Sequence, residues 1–98
     1  MAREVWKGVV LAESNKCEIV ERNYYFPPGS INEEYFVKSS THTVCIWKGR
    51  ASYYDIRVND ELNQKAAWYY PRPKSEAAHI KNHIAFWKGV EIIKSLKY

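Results

Sequence analysis

The sequence predicts a mainly β domain of antiparallel strands with one or two short helices, and three observations carry that expectation. Runs rich in β-branched and aromatic residues recur along the chain, as in VVLAES (Val9 to Ser14), THTVCIW (Thr41 to Trp47) and ASYYDIRV (Ala51 to Val58). Polar turn residues separate these runs at short intervals. Good helix formers follow a capping residue in one segment only, SEAAHIKNH (Ser75 to His83), and it is short.

Taken in order, Val9–Ser14 and CEIVER (Cys17 to Arg22) flank the polar stretch Ser14-Asn15-Lys16 and read as a first hairpin. YYFPPGS (Tyr24 to Ser30) then stops pairing, because proline lacks the N–H that a ladder needs. Ser30 followed by Glu33 is a capping-box pattern that starts one helical turn through Ile31 to Phe36. Thr41–Trp47 and Ala51–Val58 form the best strand pair, joined by Lys48, Gly49 and Arg50. Alternation in the second strand puts Ser52, Tyr54, Ile56 and Val58 on one face and Ala51, Tyr53, Asp55 and Arg57 on the other. NDELN (Asn59 to Asn63) turns the chain, and Lys65–Tyr70 is a further strand ending at Pro71-Arg72-Pro73. After the helix, strands run through Phe86 and through Val90–Ile93.

A chain of 98 residues supports one domain, residues 1–98. Its aromatic content of 15% is high, and aromatic rings serve equally as core and as ligand walls. No apolar run approaches bilayer length, and MAREVWKG has no signal-peptide core, so a cytoplasmic protein without a membrane partner is expected. Cys17 and Cys45 allow at most one intramolecular disulfide and are read as reduced thiols. The net charge of +4 is uneven: residues 1–49 hold six basic and six acidic side chains, residues 50–98 nine and five. No Lys/Arg run forms a stripe, which leaves nucleic acid weakly supported as a partner.

The tripeptide Trp-Lys-Gly occurs at Trp6, Trp47 and Trp87, 41 and 40 residues apart. The first two copies lead through strands to an aromatic triplet and then Pro, in YYFPP and WYYPRP. The economical reading is one structural punctuation mark used repeatedly, with Gly permitting a bulge or a positive backbone angle. Only the middle copy is surrounded by groups equipped for recognition. The ordered blocks YYFPP, STHTVCIWKGRASYY, AAWYYPRP and IAFWKGVE resemble the domain of unknown function 427 family, which also carries a nucleotidyltransferase-like label. The resemblance runs from Trp6 to about Ile93, with Ile46 standing where that family commonly has Pro. It implies two antiparallel sheets in a β-tent-like arrangement.

The chemistry carried by the residues is sparse. His42 and Cys45 have a ligand-like spacing but no knuckle completes a tetrahedral set, so neither a metal nor a cofactor is expected. On one strand an offset of three sends His42 and Cys45 to opposite faces, against their acting as base and nucleophile. Nucleotidyl transfer needs converging carboxylates, and here only Asp55, Asp60 and Glu61 present themselves. What remains is an aromatic cup of Trp47, Tyr53, Trp68, Tyr70 and Phe86 beside Cys45, with Lys48 and Arg50 placed to meet an anionic group. The expected function is binding of a small molecule or peptide element. An enzyme of nucleotidyltransferase-like or Cys45-dependent type is the alternative, and a protein or nucleic-acid interaction module the third reading.

Overall fold

Residues 1–95 are described by the structure, a computed structural model, and nine strands organise them: β1 (Ala2–Trp6), β2 (Val9–Ser14), β3 (Glu18–Val20), β4 (Asn23–Tyr25), β5 (Phe36–Cys45), β6 (Gly49–Val58), β7 (Glu61–Tyr69), β8 (Ile84–Phe86) and β9 (Glu91–Lys94). They form a three-stranded sheet β2-β1-β9, a four-stranded sheet β5-β6-β7-β8 and a small β3-β4 hairpin, all antiparallel. The mainly β expectation holds, with the hairpin added to the two larger sheets. Among the described residues helix is confined to 3₁₀ turns at Pro28–Ser30, Glu33–Tyr35 and Ser75–Ile80. The Ser30–Glu33 capping box does not form, because the Ser30 hydroxyl turns back to donate to the Pro27 carbonyl at 2.7 Å. In the Ser75 segment the backbone at Ala77 leaves helical geometry, which breaks it into two short 3₁₀ turns.

The first hairpin departs from expectation. β2 pairs with β1, and β3 pairs with β4, so Val9–Ser14 and Cys17–Arg22 are not partners. The turn chemistry explains why. Lys7 and Gly8 have φ of +53° and +76°, and positive angles at both central residues match the right-handed twist of the two strands they join. Lys88 and Gly89, at +56° and +86°, make the same turn between β8 and β9. Asn59 and Asp60 do so between β6 and β7, which lets β7 begin at Glu61 rather than Lys65. Tyr24 and Tyr25 do pair, within β4, and Phe26 exchanges two backbone hydrogen bonds of 2.8 Å with Ile84 before Pro27 ends the run.

The middle Trp-Lys-Gly is shifted by one residue. Here Ile46, Trp47 and Lys48 form the turn and Gly49 is the first residue of β6, opposite Cys45. Gly49 has φ +110°, and a side chain there would point at the Arg72 carbonyl 3.4 Å away, so the Pro71-Arg72-Pro73 strut lies directly on the glycine. The Lys74 N–H donates to the Lys48 carbonyl at 2.9 Å, and Lys74 Nζ donates to the Ile46 carbonyl at 2.6 Å. These contacts hold the turn so that Lys48 points inward.

Strand alternation gives the four-stranded sheet two different faces. On one, Ile56, Ala67 and Phe86 join Leu11, Ala12 and Phe26 in the main core. On the other, Ala51 and Ala85 join Tyr25, Tyr70, Ala77 and Ile80, with Cys45, Tyr53 and Trp68 packed against them. Tyr25 and Phe26 are adjacent in sequence and wholly buried, one in each cluster. β8 lies between the two aromatic triplets, pairing with β7 along Ala67, Trp68 and Tyr69 and bridging Phe26 on its other side.

Candidate functional site

The second face carries a pocket of about 160 Å³ lined by Tyr25, Lys48, Tyr53, Trp68, Tyr70 and Trp87. Cross-strand register builds one wall. Tyr53 of β6 lies opposite Trp68 of β7, and the Tyr53 hydroxyl is held 3.0 Å from Thr43 Oγ1. The Trp68 ring meets Tyr25 and Trp87 edge to face, with centroids 6.2 and 5.8 Å away, and its indole N–H donates to the Tyr25 hydroxyl at 3.2 Å. That bond leaves the Tyr25 O–H able to donate to a ligand. Trp87 is anchored through its own indole N–H, which donates to the Lys65 carbonyl at 2.5 Å.

Lys48 supplies the charge. Its side chain is only 7% exposed, and its ammonium donates to the Glu21 carboxylate. It also lies 5.1 Å from the Trp47 ring centroid and 5.8 Å from that of Tyr70. Glu21 reaches it from the β3–β4 turn, where Glu21 and Arg22 both have positive φ, and Glu21 accepts a second bond of 3.3 Å from the Trp47 indole. Burial works against the Lys48 charge, yet the bond to Glu21 and the neighbouring Tyr25, Glu21 and Cys45 outweigh it and raise the ammonium above its ordinary range. Burial pushes the Tyr70 phenol far above its usual value, and it raises Tyr25 as well. Both phenols are therefore protonated donors at neutral pH.

Hydrogen bonds from Lys48 and Trp47 hold the Glu21 carboxyl below its ordinary 4.5. A depressed folded pKa means that the pair supports the fold fully above that ordinary value and is lost as pH falls through the lowered one. An acid titration followed by the Trp47 indole proton resonance is expected to show this transition below pH 4.5. In Glu21→Gln the transition should vanish, and its persistence would assign it to another group.

Residues 2–95 match the model of a family described as a domain of unknown function (DUF427). The chain belongs to that family. No curated protein matches it.

Of the residues expected in the cup, the DUF427 domain brings Lys48, Tyr53, Trp68 and Tyr70 together as pocket lining. Trp47 covers Lys48 from the solvent side, and Cys45 packs beneath the rings. Phe86 and Arg50 lie elsewhere. In β8 it is Ala85 that faces Trp68, so alternation turns Phe86 into the main core against Phe26 and Phe36. Arg50 shares the face of Ser52, on the far side of β6 from Ala51 and Tyr53. Tyr25, Trp87 and Glu21 complete the site from segments distant in sequence. The doublet Tyr24-Tyr25 was a signal for one of them, and the third Trp-Lys-Gly for another.

Of the side chains named for the catalytic alternatives, His42, Asp55 and Glu61 are engaged. His42 Nδ1 lies 3.1 Å from Ser52 Oγ, on the face away from Cys45. Asp55 accepts the Lys65 N–H at 2.8 Å where the β6–β7 register shifts, while Glu61 reaches Lys7 at 3.7 Å. Among the described residues no three His, Cys, Asp or Glu side chains are placed to hold a metal ion. No helix of the described residues is long and apolar enough to cross a membrane.

Proposed function

We propose that this DUF427 domain is a binding module whose aromatic cup takes one ring-sized group of a small molecule or of a peptide element. The observation that carries the reading is Lys48, a lysine only 7% exposed with its ammonium among aromatic rings at the wall of a pocket. Lysine is almost never buried so fully without a specific partner. Glu21 is that partner in the free protein, and it is itself half exposed, so it can yield to a ligand acceptor. The volume narrows the ligand. A cavity of about 150 Å³ holds one benzene, whereas drug-sized molecules occupy roughly 300 Å³ and more. The cup therefore suits a planar ring bearing a carboxylate or other acceptor, with Trp68 and Trp87 as walls, Lys48 at the acceptor and the Tyr25 and Tyr70 hydroxyls as further donors.

The test is native mass spectrometry of the protein purified gently from its own lysate, followed by calorimetric titration of the species it carries. A stoichiometric added mass that binds at least about tenfold more weakly to Lys48→Met, and more weakly to Trp68→Phe, is the expected result. An added mass retained equally by both variants would place the ligand outside the cup. A bare chain that also shows no saturable binding across a panel of small aromatic carboxylates would overturn the reading.

A further inference from the structure

We propose that a second recess, on the opposite face of β6 from the cup, binds the terminal phosphoryl group of a small phosphomonoester. The recess has a volume of about 260 Å³ and is lined by His42, Arg50, Ser52, Pro71 and Arg72. Two arginines, a histidine and a serine line it, and among the described residues no acidic side chain does. Several other cations of the chain are already engaged: Arg3 pairs with Glu13, Lys7 with Glu61, Lys48 with Glu21, and Lys74 donates to a carbonyl. The side chains of Arg50 and Arg72 make no hydrogen bond or ion pair with any described residue. Two unpaired positive charges facing one concavity repel each other in the free protein, and a dianion between them turns that cost into attraction.

The fold prepares each donor. His42 and Ser52 are direct cross-strand partners, and Arg50 is two residues before Ser52 on the same face of β6. Ser52 is only 7% exposed, and its contact with His42 Nδ1 orients the imidazole and leaves Nε2 as the ring nitrogen available to a ligand. Arg72 stands between two prolines. The ring of Pro71 fixes one side, Pro73 disfavours helical geometry at Arg72 itself, and the chain bends there, so its backbone has few alternatives before any ligand arrives. The strut is anchored by the Lys74 N–H bond to the Lys48 carbonyl and by its close approach to Gly49. Guanidinium forks suit phosphate oxygens bidentately, and with the Ser52 hydroxyl engaged by His42, the two guanidiniums and the imidazole match the three terminal oxygens of a monoester better than the two free oxygens of a diester.

The experiment is a titration of the whole chain with inorganic phosphate and, separately, with dimethyl phosphate at fixed ionic strength, read by nitrogen-edited NMR of the arginine Nε–H and backbone amide groups. Saturable shifts confined to Arg50, Arg72, His42 and Ser52 are expected with inorganic phosphate. Affinity should fall about tenfold in Arg72→Gln and in Arg50→Gln, and be at least about fivefold weaker for dimethyl phosphate. Both arginines are exposed, so amide spectra of the variants should report an intact fold. Trp68→Phe should leave phosphate binding unchanged, which separates this site from the cup. Shifts spread over all basic residues, no effect of Arg72→Gln, or equal affinity for the diester would each overturn the proposal.

Discussion

Replacement of Glu4 by Gln is expected to stabilise the protein by about 3 kcal/mol at pH 7 and to flatten its stability between pH 5 and 8. Glu4 lies in the middle of β1, between β2 and β9, and is only 5% exposed. Burial pushes its carboxyl from 4.5 up to about 8. Below pH 4.5 both the folded and the unfolded chain hold the proton, and the fold bears no penalty. As pH rises, the unfolded chain releases the proton while the folded chain retains it, so stability falls by up to about 1.4 kcal/mol per pH unit until the folded group also ionises near 8. Glutamine keeps the shape and removes the ionisation. Urea midpoints of both proteins measured from pH 4 to 9 check this, with the difference between them isolating Glu4 from the histidines. Parallel pH profiles would mean that Glu4 is solvated and ionised in the fold. The same region explains Cys17: burial, then the nearby Glu4, push its thiol up to about 11, against a lowering from the chain N-terminus, so it should resist alkylation at neutral pH.

Phe26→Ala is expected to cost about 4 kcal/mol and to abolish the proposed binding in the cup with it. Phe26 is fully buried, meets Phe86 edge to face at 5.9 Å, and its backbone exchanges both hydrogen bonds with Ile84. Truncation opens a cavity in the main core at the point where β8 is held from its second side. A loss of that size is a large share of the 5–15 kcal/mol typical of a domain. The functional consequence follows from sequence adjacency, since Tyr25 occupies the cup cluster on the opposite face and depends on its neighbour for position. Thermal unfolding with calorimetry measures the cost, and ligand titration below the lowered midpoint measures the coupling. A variant as destabilised as expected yet unchanged in ligand affinity would show that Trp68 and Lys48 position Tyr25 without help from the core. Phe26→Leu, which fills most of the volume, should recover much of both.

Several features were legible in the residues alone because their causes are local. Alternation of β-branched and aromatic positions marked β2, the second half of β5, β6 and the second half of β7, since a strand face repeats every two residues. The sharing of one face by Ser52, Tyr54 and Ile56, and of the other by Ala51 and Tyr53, was likewise readable; the same alternation puts Arg50 with Ser52, which its assignment to the cup overlooked. The grouping of Tyr53, Trp68, Tyr70 and Lys48 came through because a hairpin brings such neighbours together whatever its exact register. Other features had no local cause. β1 and β4 are too short to announce themselves, and the partner of β2 was decided by whether Lys7-Gly8 or Asn15-Lys16 makes the tighter turn. Phe86 was misplaced because β8 is three residues long, and its parity is set by which β7 residue it faces.

The repeated Trp-Lys-Gly shows the division most clearly. By itself the sequence determined that these tripeptides punctuate strands, because glycine admits the positive backbone angles that tight turns demand. It also determined the antiparallel β character and the aromatic stock from which the cup is drawn. Only the tertiary structure decided that the first and third copies place Lys-Gly at the turn tip while the middle copy places Gly49 within β6, beneath the Pro71-Arg72-Pro73 strut. Only it decided that Lys48 turns inward to Glu21, from a hairpin 27 residues away, and that Tyr25 and Trp87 close the pocket. The physical reason is that backbone angles and side-chain periodicity are properties of neighbouring residues, whereas a buried charge and a shared pocket require surfaces that meet only once the sheets have packed.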